Sequence, residues 1–120
     1  MLETLKTDVL VVGSGPAGST AARYAARKGA QVTFIERRAQ VGVPVRCGEM
    51  IPSTEEIGGM FVNAENIEEL FDIPHNLRLR EIQGIRLVNP KGKMVNLPFT
   101  GYTLDRDNLD QHLASEAEKE

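Results

Sequence analysis

Cysteine is nearly missing from this 120-residue chain, which carries one, Cys47. A single thiol excludes an internal disulfide framework and fits a reducing compartment. Histidine is almost as scarce: His75 and His112 are the two present, far apart in the chain. With one cysteine they leave no cluster spaced for a metal, so no metal is expected, and both read as structural or solvated side chains. No apolar run approaches the ~18 residues that a membrane span needs, and the amino-terminal MLETLKTDV lacks the apolar core of a signal peptide. The expected location is cytoplasmic. A strong charge of one sign is also absent: the formal net charge is −3, with acids and bases interspersed. Such a chain has no large basic patch, which excludes nucleic acid as an expected partner. Internal repeats and low-complexity linkers are missing as well.

What the chain does have is concentrated between Asp8 and Glu36, in DVLVVGSGPAGSTAARYAARKGAQVTFIE. Asp8 to Val12 is a β-branched, apolar run suited to a buried parallel strand. Gly13, Gly15 and Gly18 then fill the G-x-G-x-x-G spacing. The first glycine allows a sharp exit from the strand, the second leaves room for a pyrophosphate at the backbone, and the third lets a helix pack closely on the sheet. A helix rich in small residues follows (Ala17, Ala21, Ala22, Ala25, Ala26), with Gly29 as its stop. The second apolar run, Val32 to Ile35, ends on Glu36, where a carboxylate can accept hydrogen bonds from ribose hydroxyls. Free N–H groups and the positive helix end suit the ligand's phosphates. This is a dinucleotide-binding unit of Rossmann type, and the run alone leaves NAD and FAD open. Glu36 opposes the 2′-phosphate of NADP, although Arg37 and Arg38 follow it.

Beyond Glu36 the α/β pattern stops. Residues 37–50 read as a glycine-containing loop, and long loops in compact domains tend to be functional. Ser53 to Ile57 has the capping-box spacing, with Ser53 as cap and Glu56 three residues on. Asn63 to Phe71 repeats the signal, with Ile67, Leu70 and Phe71 on one face. Glu81 to Leu97 reads as two strands joined by the turn Asn89 to Lys93, an antiparallel excursion. Asp105 is placed to cap a helix from Arg106 onward, with Leu109 and Leu113 on its buried face. The expected fold class is therefore α/β: a β-α-β unit (1–36), a loop (37–50), an excursion with a β-hairpin (51–101) and a returning helix (102–120). A third parallel strand would be needed to complete the sheet, so an incomplete domain, the N-terminal part of a longer protein, is expected.

Two further segments, Pro44 to Met50 (PVRCGEM) and Tyr102 to Leu113 (YTLDRDNLDQHL), sharpen the class. With the glycine run they resemble the geranylgeranyl reductase family, FAD enzymes that share the architecture of p-hydroxybenzoate hydroxylase, and within it the archaeal digeranylgeranylglycerophospholipid reductases. The resemblance implies FAD as cofactor, with Gly13, Gly15, Ala17 and Gly18 at its pyrophosphate and Glu36 at its adenosine ribose; Arg37, next in the chain, is counted among the cofactor-binding residues. It implies that the R-C-G-E segment, Arg46, Cys47, Gly48 and Glu49, lies near the flavin with Met50 just beyond. It also matches Arg106 to an arginine that contacts FAD. An arginine in a first helical turn is unfavourable for the helix dipole, a cost that an anionic ligand offsets. Cys47 is the one candidate for a catalytic role, as a flavin-facing residue and not as a nucleophile. The resemblance implies a flavin-dependent reductase of isoprenoid double bonds in archaeal lipid precursors, with an isoprenoid lipid substrate, an electron donor left undefined and peripheral contact with the membrane. A chain of this extent is expected not to turn over by itself. A flavin monooxygenase or quinone-linked dehydrogenase of the same architecture, and a non-enzymatic dinucleotide-binding module, are the competing readings.

Overall fold

The computed structural model describes residues 4–63 and 65–120. Residues 1–3 of the amino-terminal segment and residue 64, within the Asn63 to Phe71 stretch, lie outside the described residues. The chain forms two compact units, one running to Arg46 and resuming at Arg106–Glu120, the other covering Cys47–Asp105.

The first unit is the β-α-β element closed by a helix. Strand β1 (Val9–Val12) pairs in parallel with β2 (Val32–Ile35), with Val9 opposite Val32 and Val12 opposite Ile35. Helix α1 (Pro16–Arg27) connects them and begins with proline at its first position, where no N–H is needed. It ends as expected at Gly29, whose φ of +90° admits the Schellman pattern: Gly29 N–H donates to Ala26 O and Ala30 N–H to Ala25 O. Helix α4 (Arg106–Glu118) packs along α1 through small residues, so Ala22, Ala114 and Ala117 are buried together with Leu109. Leu113 is only half-buried. Arg23 and Arg27 of α1 pair with Glu116 and Glu120 at the rim, at 3.3 and 2.6 Å. Surface pairs of this kind add little stability. The strands are less enclosed than their sequence predicts, because helix packing covers one face while Leu10 and Val12 remain 57% and 76% exposed on the other.

The second unit is a three-stranded antiparallel sheet in the order β3-β5-β4. The long strands β4 (Arg78–Val88) and β5 (Met94–Leu104) form the expected hairpin, extended well past its predicted ends. Asn89 shapes its turn by accepting the N–H groups of Lys91 and Lys93 on its side chain, and Gly92 adopts φ +80°. Strand β3 (Met50–Pro52), which starts at the last residue of the expected loop, pairs with β5. Helix α2 (Thr54–Met60) starts at Ser53 as expected, the Ser53 hydroxyl accepting Glu56 N–H at 3.3 Å. The reciprocal half of the capping box does not form: Ser53 N–H goes to Thr100 O of β5, and the Glu56 carboxylate accepts Thr100 N–H instead. Helix α3 (Ile67–Leu70) is a single turn entered from Asn66 in the left-handed conformation, not a longer helix from Asn63. Ile57, Leu77 and Leu104 form the buried centre of this unit.

Candidate functional site

The glycine turn between β1 and α1 divides its three glycines by task. Gly13 has φ +102°, a conformation that L side chains rarely adopt, and its N–H donates to Ile35 O at 2.7 Å, tying the turn to β2. Gly18 faces the carbonyl of that same residue so closely that a Cβ there would lie 1.9 Å from Gly13 O. Gly15 answers to neither constraint. Its backbone is extended, at φ −70° and ψ −179°, and a Cβ built on it meets nothing within 4 Å. The fold itself does not require glycine there. A ligand that approaches the backbone does.

Gly15 is also the N-cap of α1, without a side-chain cap, and Ser19 N–H to Gly15 O is the first bond of the helix. The amides of Ala17 and Gly18 therefore have no intrahelical acceptor. Open space, free donors and the positive end of a twelve-residue helix coincide in front of Gly15. Buried Ser19 stiffens the turn from behind, its hydroxyl donating to Ser14 O at 3.0 Å.

Glu36, at the end of β2, reaches back to this turn. One carboxylate oxygen accepts Ser14 N–H at 2.9 Å and the other accepts Arg38 N–H at 3.0 Å. These bonds, the one from Ser14 foremost, hold its carboxyl below the ordinary glutamate range. The carboxylate thus stays ionised and fixed beside the turn. Glu36 lines an open cleft of about 610 Å³ with Val12, Gly13, Ile35, Arg37 and Arg38. The cleft lies beyond the carboxyl ends of β1 and β2, the edge at which open α/β sheets bind ligands.

A second, smaller hollow of about 150 Å³ opens beside it, lined by Arg38, Gly42, Pro44, Val45, Arg46, Arg106 and Asp110. Arg38 borders both. Arg106 is held by Asp110 through a forked contact, Nη2 to Oδ1 at 2.9 Å and to Oδ2 at 3.3 Å, with Nε to Oδ1 at 3.1 Å. The structure therefore gathers Gly13, Glu36 and Arg37 at one cleft and Arg46 and Arg106 at the adjoining one. Cys47, Gly48 and Met50 belong to the second unit. Cys47 is exposed, its sulfur accepting Glu49 N–H at 3.4 Å, and Glu49 takes φ +57°. Sequence reasoning weighed Arg38, which borders both cavities, only as a charge following Glu36, and gave no part to Ser14, which anchors Glu36 by its backbone, or to Asp110. The i,i+4 spacing of Arg106 and Asp110 was the available signal for the last.

Comparison with known proteins agrees with this geometry. Residues 8–44 match the family described as FAD dependent oxidoreductase. Over 93% of its length the chain is 39% identical to the digeranylgeranylglycerophospholipid reductase of Thermoplasma acidophilum, and it covers 28% of that protein. A crystal structure of a geranylgeranyl bacteriochlorophyll reductase-like protein from the same organism matches 94% of the chain with a TM-score of 0.73 at 37% identity, again covering 28% of the larger protein. The chain is similar to the N-terminal part of the geranylgeranyl reductases. The expected resemblance and the Rossmann-like α/β class are thus borne out, and FAD is indicated as the dinucleotide. An uncharacterized protein in the nifH2 5′ region of Methanosarcina barkeri is 35% identical over 98% of the chain, which spans 63% of it. The chain spans little more than a quarter of the two reductases.

Proposed function

We propose that this chain forms the adenosine and pyrophosphate grip of an FAD-dependent oxidoreductase, and that the enzyme reduces isoprenoid double bonds in geranylgeranyl lipid precursors. The observation that carries the grip is the empty space in front of Gly15, at an N-cap where the fold has no need of glycine. The reductase class is supported by near-complete coverage of the chain by the T. acidophilum reductase. In this reading Gly13, Gly15, Ala17 and Gly18 surround the pyrophosphate, whose charge meets the free amides of α1. Glu36 and Arg37 hold the adenosine ribose, and Arg46 and Arg106 meet the cofactor from the adjoining hollow. Cys47, Gly48 and Met50 form the flavin-proximal segment. When bound, FAD in its reduced form supplies a hydride to one carbon of the double bond, and a proton completes the other. The chain's own contribution is to bind and orient. Among the described residues no helix is long and apolar enough to cross a membrane, so contact with the lipid substrate is proposed to be peripheral and the protein cytoplasmic.

The direct test is to purify the protein, record its absorbance and identify any extracted cofactor. A yellow protein releasing FAD is the expected result, and a colourless one that FAD cannot load overturns the reading. Anaerobic reduction of a geranylgeranyl lipid, against oxygen-dependent hydroxylation, separates the reductase from a monooxygenase of the same fold.

Glu36 offers a finer test. Glu36→Gln keeps the shape but replaces one acceptor oxygen by a donor that opposes the Ser14 or Arg38 N–H, so FAD affinity is expected to fall about tenfold. Since the folded carboxyl titrates below the ordinary glutamate range, its contribution to the turn is fully present above that range. It is lost as the pH falls through the lowered value. FAD retention followed by fluorescence from pH 7 downward should therefore decline later in the native protein than an ordinary glutamate would dictate. The Gln variant should lack that step.

A further inference from the structure

Asp110 is buried, 7% exposed, and is the anionic partner in a hollow that also presents Arg38, Arg46 and Arg106. A carboxylate is an odd neighbour for an anionic cofactor, because by charge alone it weakens binding. Its geometry supplies a reason. The carboxylate forks onto the Arg106 guanidinium one turn earlier on α4, with both side chains largely enclosed. The loop after β2 closes over this pair at Gly42, which has φ +81°, and a Cβ there would lie 2.8 Å from Asp110 Cβ. The backbone of the loop thus rests directly on the Asp110 side chain. An arginine without such a partner samples many rotamers and loses that freedom on binding a ligand. A forked carboxylate removes most of that freedom in advance and leaves the remaining guanidinium donors available.

We propose that Asp110 is a positioning residue for FAD: it fixes Arg106 so that its free donors face the hollow shared with Arg38 and Arg46, and so raises FAD affinity despite its own charge. The inference rests on the FAD reading above and adds a residue that this reading did not use. Simple charge bookkeeping says that removing Asp110's negative charge tightens binding of a pyrophosphate ligand, whereas positioning says that removal weakens it.

The test titrates FAD into the cofactor-free protein by quenching of flavin fluorescence, with thermal unfolding of the same preparations in parallel. Asp110→Asn, which is isosteric, is expected to weaken FAD binding about tenfold. Asp110→Ala is expected to weaken it at least as much. In an Arg106→Gln background the Asp110→Asn change is expected to cause no further loss, since there is no guanidinium left to hold. Unchanged or tighter binding in Asp110→Asn overturns the proposal. A full further loss in the double variant overturns it too, because Asp110 would then act without Arg106. If Asp110→Ala fails to fold, Asp110→Asn and the double variant still decide. A drop in melting temperature with unaltered FAD affinity marks a merely structural carboxylate and counts against positioning. Failure of the unsubstituted protein to bind FAD condemns the underlying reading instead, so the two failures are distinct.

Discussion

Gly15→Val is expected to bind FAD about a hundredfold more weakly while still unfolding cooperatively, within several degrees of the unsubstituted, cofactor-free protein. The two halves of this result have separate causes. The backbone at Gly15 is extended, which a β-branched residue adopts without strain, and its Cβ would meet no protein atom within 4 Å. Glycine is a favoured N-cap and valine a poor one, so the change costs the helix about 1 kcal/mol at most, although Gly15 has no side-chain cap to lose. A ligand phosphate, by contrast, must approach the free amides of α1 through the space that the side chain would fill. The variant therefore separates a glycine kept for a ligand from one kept for the fold. Isothermal titration with FAD beside a thermal melt provides both readings. A variant that melts normally and binds FAD normally shows that the pyrophosphate does not pass Gly15, and the assignment of the grip then fails.

The same distinction explains what the sequence made legible. The β-α-β unit was readable because each of its signals is local: a β-branched run, glycines at fixed spacing, an alanine-rich helix and Gly29 just past its end. The boundaries of β2 and the start of α4 came out as read. Strand β3 was missed because three residues, one of them proline, carry no periodicity, and Met50–Pro52 is a strand only through its pairing with β5. The half-formed capping box has a similar origin. The Ser53 and Glu56 spacing was correct, but Thr100, distant in sequence, offered both partners a better bond. Asp110 shows the limit most clearly. Its spacing from Arg106 was visible, while its burial depends on the loop that descends at Gly42, and no local pattern announces that contact. Glu36 stood where a ribose acceptor belongs, and its tie to the Ser14 amide across the turn emerges only in three dimensions.

Gly18→Ala makes the opposite prediction to Gly15→Val, and in the same turn. A methyl at position 18 would fall 1.9 Å from Gly13 O and 3.1 Å from its carbonyl carbon. Those are backbone atoms, and they cannot retreat freely, because the Gly13 N–H is bonded to Ile35 O and the peptide belongs to a residue already at φ +102°. Relief must come from moving α1 off the strands, which also pulls at the α1 and α4 contact where Ala22, Ala114 and Ala117 are buried. Overpacking that shifts backbone in this way costs about 1–3 kcal/mol and occasionally more, a large share of the stability of a domain this small. The cofactor-free variant is expected to lose its cooperative melt or to show a midpoint many degrees lower by circular dichroism. FAD binding should fall with it, as a consequence of the lost fold. Should Gly18→Ala melt like the unsubstituted protein, the close approach of helix and turn described here is wrong, and with it the reason for the third glycine.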